Sequence, residues 1–182
     1  EATMDDLDNG LFNGVIQRQK SLHPRVFANL DDEEAAINLR IAARDGDGVL
    51  RPTLAGLLAL GVYPQKYFPR LTVTFAAYPN DDKASEGGVK YLDSEKMVGP
   101  IPAIIADTVA AVQRNTRLGG AMVGATRVDV PDYPPAAVRE AVCNALMHRD
   151  YSELARGTQV QVNLYDDRLE FLSPGGLYGA VT

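Results

Sequence analysis

A glutamate, an asparagine and a histidine recur at four-residue intervals in one stretch of the chain, as Glu140, Asn144 and His148. Residues spaced in this way lie on one face of an α-helix. A carboxylate can orient or deprotonate an attacking water, and a carboxamide oxygen can bind magnesium that bridges phosphate groups. The spacing therefore suits nucleotide chemistry, with Glu140 as the candidate base and Asn144 as the candidate metal ligand.

The helix that carries these residues is predicted from its own start signal and apolar stripe. Pro134 and Pro135 favour a helix start, because proline is tolerated in the first turn. An apolar stripe follows at helical spacing, formed by Val138, Ala141, Val142, Ala145 and Leu146. A purely structural reading of the polar residues stays open, in which Glu140 pairs with a cation and Asn144 caps a neighbouring strand.

A β-hairpin and a glycine turn are predicted after this helix. Residues 158–165 alternate apolar and polar side chains, Asp166-Asp167 forms a tight turn, and residues 168–172 return. The segment Ser173-Pro174-Gly175-Gly176 then forms a turn whose backbone amides could approach a ligand. Between helix and hairpin, His148-Arg149-Asp150 has two possible roles, to fasten the helix end to the hairpin or to contact a ligand.

The earlier chain is predicted to be more irregular. Residues 1–50 are polar and rich in turn signals. Asn9-Gly10 and Asn13-Gly14 should break any long helix, which leaves at most a short one near Leu11 to Ile16. Asp31 and Glu34 form a capping box, and we expect the helix behind them to continue to Ala42. The remaining predicted elements are a buried helix begun at Pro52 and stopped by a left-handed Gly61, a strand over 71–78, a short strand over 89–92, a helix from Pro100 to Leu118 stopped by Gly119-Gly120, and one strand over 121–130.

This order of elements predicts an α+β fold, a two-layer α/β sandwich with a mixed or antiparallel sheet and helices on one face. We expect residues 1–62 to form a helical connecting region and residues 63–182 to form the sandwich. Since the chain opens on Glu1 and closes just after a glycine turn, we expect it to be part of a longer protein.

Composition narrows the classes of function. The chain has 182 residues, a net charge of −6 and a pI near 4.9, which argues against a non-specific nucleic-acid binder. No apolar run reaches the roughly 18 residues of a membrane span, and no signal peptide opens the chain, so we expect a cytoplasmic protein with no membrane partner. With two histidines and one cysteine, neither a three-histidine zinc site nor an internal disulfide is expected.

Several motifs together resemble a known superfamily. Glu140-x-x-x-Asn144-Ala145 resembles the helix signature of the GHKL ATPases, which include gyrase and histidine kinases. More narrowly, the chain from about residue 45 to 182 resembles bacterial proteins described as RecG-related helicases or transcriptional regulators. The residues that carry this resemblance are Pro52-Thr53-Leu54-Ala55-Gly56-Leu57-Leu58, Pro64-Gln65, Phe68-Pro69, Tyr133-Pro134 through Leu146, His148-Arg149-Asp150-Tyr151-Ser152, Asp167-Arg168-Leu169-Glu170 and Ser173-Pro174-Gly175-Gly176-Leu177.

The resemblance implies a GHKL-like domain, incomplete at its C-terminus, that binds ATP and magnesium and hydrolyses ATP slowly. Glu140 would be the catalytic base and Asn144 the metal ligand. The implied nucleotide-binding residues are Asn144, His148, Asp150, Ser173, Gly175 and Gly176.

The same resemblance implies a DNA-binding regulator. DNA would be bound by a Schlafen/Alba-type domain outside this chain, and helicase activity is not expected because no motor motif is present. Ser173 stands where these ATPases place an adenine-binding aspartate. The alternative is therefore a non-enzymatic module that serves for homodimerisation or partner binding.

Overall fold

Alternating strands and helices build an α+β structure, in agreement with the predicted fold class. The computed structural model describes residues 1–81, 83, 90–123 and 126–175. They form two compact units. The first contains Glu1–Pro69 and Gly99–Pro102, and the second contains Arg70–Val98 and the described chain from Ala103 onward.

The first unit is mainly helical. Its helices are α1 (Asn9–Leu22), α2 (Pro24–Phe27), α3 (Asp32–Asn38) and α4 (Leu54–Leu60), and a small antiparallel hairpin joins β1 (Ala42–Arg44) to β2 (Leu50–Pro52). Short 3-10 turns lie at Met4–Asp6 and Pro64–Lys66. The core consists of apolar side chains from the four helices and from the segments beside them, namely Leu7, Ile16, Phe27, Ala35, Ala36, Ile41, Ala42, Leu57 and Leu60.

Helix α1 is longer than the sequence suggested. It runs for 14 residues through Gly10 and Gly14, two positions at which a break was expected. The Asp8 carboxylate accepts a hydrogen bond from the Leu11 amide at 2.8 Å and caps the helix. Each glycine costs about 1 kcal/mol of helix propensity, and the complete burial of Ile16 offsets that cost.

The capping box of α3 is confirmed, but the end of this helix was predicted wrongly. The Asp31 carboxylate accepts from the Glu34 amide at 2.7 Å, and the Glu34 carboxylate accepts from the Asp31 amide at 3.1 Å. The helix ends at Asn38 because Arg40 adopts a left-handed conformation with φ 59°. Ala42, the expected last helical residue, instead begins strand β1.

Helix α4 is confirmed as a buried helix, with two corrections at its ends. It begins after Thr53, whose hydroxyl accepts from the Gly56 amide at 3.0 Å, whereas Pro52 belongs to β2. Gly61 is not left-handed, since its φ is −71°. Glycine fits there because a Cβ would lie 2.4 Å from the Leu57 carbonyl oxygen.

The second unit is built on a four-stranded mixed sheet of order β4-β3-β7-β8. Its strands are β3 (Val73–Ala77), β4 (Asp93–Met97), β7 (Val160–Leu164) and β8 (Leu169–Leu172). Strand β3 runs parallel to β7, and the other neighbours are antiparallel. The core contains fully buried side chains from strands and from helices α5 (Ile101–Asn115) and α6 (Pro135–Met147), including Val73, Phe75, Val112, Val142, Val160 and Val162.

Three predicted elements of this half differ in the structure. The short strand expected at 89–92 is instead β4, at Asp93–Met97, and Val89 lies outside the described residues. Helix α5 ends at Asn115, where the Thr116 hydroxyl donates to the Val112 carbonyl at 3.0 Å. Gly119 and Gly120 therefore do not stop the helix.

The single strand expected over 121–130 is a hairpin. Its two strands are β5 (Leu118–Val123) and β6 (Thr126–Pro131), paired antiparallel in a separate sheet. Gly119 and Gly120 pair with Val130 and Asp129, so cross-strand hydrogen bonds overcome the weak strand propensity of glycine.

Candidate functional site

Helix α6 carries the predicted site residues on its exposed side. Its three buried side chains, Val138, Val142 and Leu146, recur at four-residue intervals, which confirms the predicted apolar stripe. Pro135 occupies the first helical position. Glu140, Asn144 and His148 are all exposed, so this face is open to solvent.

Glu140 and Asn144 contact each other directly. The Asn144 carboxamide donates from Nδ2 to Glu140 Oε1 at 3.3 Å. This orientation leaves Asn144 Oδ1, the atom that would bind a metal, outside the bond. The candidate base, Glu140, and the candidate metal ligand, Asn144, are thus in direct contact.

The Ser173–Gly175 turn lies against the C-terminal end of α6. The Ser173 hydroxyl donates to the Ala145 carbonyl at 2.8 Å, and the Asp150 amide donates to the Pro174 carbonyl at 2.7 Å. Tertiary structure therefore brings the turn next to Asn144 and Glu140 on α6. Gly176, also predicted for this site, lies outside the described residues.

Gly175 is required by both its conformation and its surroundings. Its φ is +138°, and a Cβ would approach the Asp150 nitrogen to 3.0 Å and the His148 carbonyl oxygen to 3.2 Å. Only glycine adopts this backbone conformation readily. The close seat of the turn on residues 148–150 therefore depends on glycine here.

His148 and Asp150 have structural contacts in the described chain. His148 ends α6, and its amide donates to the Asn144 carbonyl at 3.0 Å. The Asp150 carboxylate accepts from the Ser152 amide at 2.7 Å, a bond that lowers the pKa of this carboxyl group. Their role in nucleotide binding stays a prediction.

Arg149 is the residue that the predicted site omitted. The residue is 5% exposed, and its Nη2 donates to the Thr158 carbonyl at 2.6 Å. The guanidinium lies 5.2 Å from the centre of the Tyr151 ring. The bond to Thr158 fastens the helix end to the chain that leads into the hairpin, which is one of the two roles predicted for this segment. The sequence gives no signal that this arginine is buried.

Arg149 is buried without an ion-paired acid among the described residues. No carboxylate forms an ion pair with it among residues 1–81, 83, 90–123 and 126–175, and its Nε has no hydrogen-bond partner there. Burial consequently lowers the pKa of the guanidinium, opposed weakly by Tyr151 and Asp150.

Arg168 organises the turn of the β7–β8 hairpin, and the sequence did not predict this. It donates to Glu170 at 2.7 Å, to Asp167 at 2.8 Å and to the Asp81 carbonyl at 2.9 Å. Its guanidinium lies 4.0 Å from the ring centre of Tyr165, which stacks on Tyr78. The hydrogen bonds to Glu170 and Asp167 raise the pKa of Arg168.

A polar cleft of about 280 Å³ lies beside this turn. Burial, together with the charges of Asp132 and Asp167, raises the pKa of the Tyr133 hydroxyl in its wall. The cleft is lined by Asn115, Thr116, Arg117, Asp132, Tyr133, Leu164, Tyr165, Asp166 and Asp167. None of the residues predicted for the nucleotide site lines it.

Protein side chains alone do not form a closed metal site in the described part of the chain. The described residues contain no group of three or more histidine, cysteine, aspartate or glutamate side chains placed to hold a metal ion. Magnesium typically keeps several waters and binds through one or two protein oxygens plus substrate phosphates. Asn144 Oδ1 fits that mode of binding.

Comparison with known families gives two matches, in separate parts of the chain. Residues 1–74 match a domain of unknown function (DUF8451). Residues 157–182 match the family described as "Putative ATP-dependent DNA helicase recG C-terminal", a stretch that covers the hairpin and the glycine turn but not α6. Neither match is to a Schlafen/Alba-type domain. No curated protein and no solved structure matches the chain.

Among residues 1–81, 83, 90–123 and 126–175, no helix combines the length and the hydropathy needed to cross a bilayer.

Proposed function

We propose that this chain binds ATP with magnesium through helix α6 and the Ser173–Gly175 turn, and that it hydrolyses ATP slowly. The observation that carries the proposal is the hydrogen bond from Asn144 to Glu140, on an exposed helical face next to the turn. The partial match to the RecG C-terminal family supports the nucleotide class. It includes the residues of the turn.

Asn144 would hold the metal, and Glu140 would act on water. The Asn144 amide nitrogen is held by Glu140, which orients Oδ1 for binding a cation. Bound magnesium would neutralise charge on the phosphates. Glu140 would orient the attacking water and accept its proton, as expected of a carboxylate that acts as a general base.

The turn would contact the nucleotide on the adenine side. Ser173 already donates its proton to the Ala145 carbonyl, so its oxygen can only accept a further hydrogen bond. A nucleobase amino group would satisfy that acceptor. In this proposal His148 and Asp150 hold the turn, and Gly175 permits the close approach.

The wider role that we propose is that of a cytoplasmic bacterial transcriptional regulator. DNA would be bound by a domain outside these residues, since the net charge of −6 does not suit phosphate binding. Nucleotide binding would then regulate DNA binding. Helicase activity is not part of the proposal, because the chain carries no motor motif.

Titration of the full-length protein with a fluorescent ATP analogue in the presence of magnesium tests the proposal. Asn144→Ala removes the proposed ligand, so we expect Kd to rise about tenfold or more, which corresponds to about 1.4 kcal/mol. Arg139→Ala, an exposed change on the same helix, is the matched control and should leave Kd unchanged. The site would be refuted if Asn144→Ala left Kd unchanged, or if the protein showed no magnesium-dependent binding at all.

A second candidate function is a non-enzymatic module for homodimerisation or partner binding. It is favoured by Ser173, because the described turn offers no carboxylate and the serine hydroxyl already bonds to Ala145. Light scattering over a range of concentrations tests the dimer. A monomer at every concentration would contradict it.

A further inference from the structure

The end of α6 contacts both ends of the β7–β8 hairpin through one short segment. The Arg149 side chain binds Thr158, two residues before β7 begins, and the Asp150 amide binds Pro174, two residues after β8 ends. The segment His148–Asp150 therefore clamps the entry and exit of the hairpin together. The same segment supports the Gly175 turn.

Arg149 is an unusual choice for such a clamp. A buried cation that has no carboxylate partner among the described residues loses hydration that one carbonyl and one ring face do not fully replace. An apolar side chain of similar length would pack there without that loss. Stability alone therefore does not explain arginine at this position.

The specific contribution of arginine is directional. A guanidinium donor at 2.6 Å from the Thr158 carbonyl fixes the side chain, and through it the backbone of residues 148–150. That backbone supplies the Asp150 amide that holds Pro174. Ser173, next to Pro174, binds the carbonyl of Ala145, the residue that follows Asn144.

We propose that Arg149 is a positioning residue for the nucleotide site. It holds the Ser173–Gly175 turn at the correct distance from Asn144. The inference rests on the proposed function. Arg149 does not contact the nucleotide itself. It acts through the backbone of Asp150 and the turn.

Two substitutions separate positioning from simple packing. Arg149→Met keeps the length and apolar stem but removes the donor, and Arg149→Lys keeps the charge with a single ammonium. For Arg149→Met we expect an unchanged or higher urea midpoint, faster hydrogen exchange at the Asp150 amide, and a Kd for the magnesium–ATP analogue raised about tenfold, as for other residues that support a ligand-binding group. Arg149→Lys should recover part of the affinity.

Arg139→Met, on the exposed side of the same helix, is the matched control and should change neither Kd nor exchange at Asp150. If the wild-type protein binds the analogue and Arg149→Met binds it equally well, the positioning role is overturned while the proposed function stands. If the wild-type protein does not bind the analogue, both are overturned. Should Arg149→Met fail to fold, Arg149→Leu, which also lacks the donor, takes its place, and wild-type affinity in that variant would overturn the role.

Discussion

Replacing Gly175 by alanine tests whether the turn is seated on the end of α6 as described. The backbone at Gly175 has a φ of +138°, which an alanine adopts only with strain of about 1 to 3 kcal/mol. The new Cβ would also lie 3.0 Å from the Asp150 nitrogen, whose amide donates to Pro174 at 2.7 Å. Displacing that bond would cost about 1 kcal/mol more.

We therefore expect Gly175→Ala to lower the free energy of unfolding by about 2 to 4 kcal/mol, the sum of strain and a lost hydrogen bond. Urea unfolding followed by circular dichroism measures this change. Hydrogen exchange at the Asp150 amide locates it, because that amide should lose protection before the strands of the sheet do.

Gly157→Ala is the matched control in the same unit. Nothing lies within 4 Å of a Cβ at Gly157, and its φ is not in the left-handed region. Alanine there should be neutral or stabilise by up to about 1 kcal/mol, through the unfolded chain. Equal unfolding midpoints for the two variants would refute the described seat of the turn.

Three further predictions concern the packing and the charges of the two units. Gly56→Ala places a Cβ 2.0 Å from the Ile41 carbonyl oxygen and should lower the free energy of unfolding in urea by about 3 kcal/mol or more. Gly14→Ala is the control, because nothing lies within 4 Å of the added Cβ, and it should stabilise α1 by about 0.5 to 1 kcal/mol. Phe75→Ala removes a fully buried ring from β3 and should cost about 3 to 5 kcal/mol by the same measurement, with a loss below about 1 kcal/mol counting against its place in the core. The pKa of Asp6 is lowered by hydrogen bonds from the Thr3 amide and the Tyr67 hydroxyl and by the charge of Lys66. The contribution of Asp6 to stability is therefore present above about pH 4 and is lost as pH falls through the folded pKa. Asp6→Asn should flatten this part of the pH dependence of stability, and an unchanged pH profile would contradict the prediction.

The sequence determined those elements whose signals are local. The period of the apolar residues in α6, the alternation in β7, and the capping box of Asp31 and Glu34 all predicted what the structure contains. Each depends on residues within one or two turns or one strand. The adjacency of Glu140 and Asn144 follows for the same reason, because helical geometry alone sets that distance.

Elements decided by distant contacts could not be predicted in this way. Gly119 and Gly120 look like a helix stop, but pairing with β6 makes them part of a strand. Gly61 looks like a left-handed cap, yet its backbone is extended and pairs with Leu7 in an antiparallel β-bridge. In both cases the deciding atoms belong to another strand or turn.

The candidate site shows the same division. The sequence predicted the types of the site residues and their places on the helix and the turn. It did not predict the hydrogen bond from Ser173 to Ala145 or the burial of Arg149. The burial of a charge depends on what surrounds it, and the atoms around Arg149 come from Tyr151, Thr158 and the folded hairpin. Sequence therefore supplied the chemistry of this site, and tertiary structure supplied the clamp that holds its parts together.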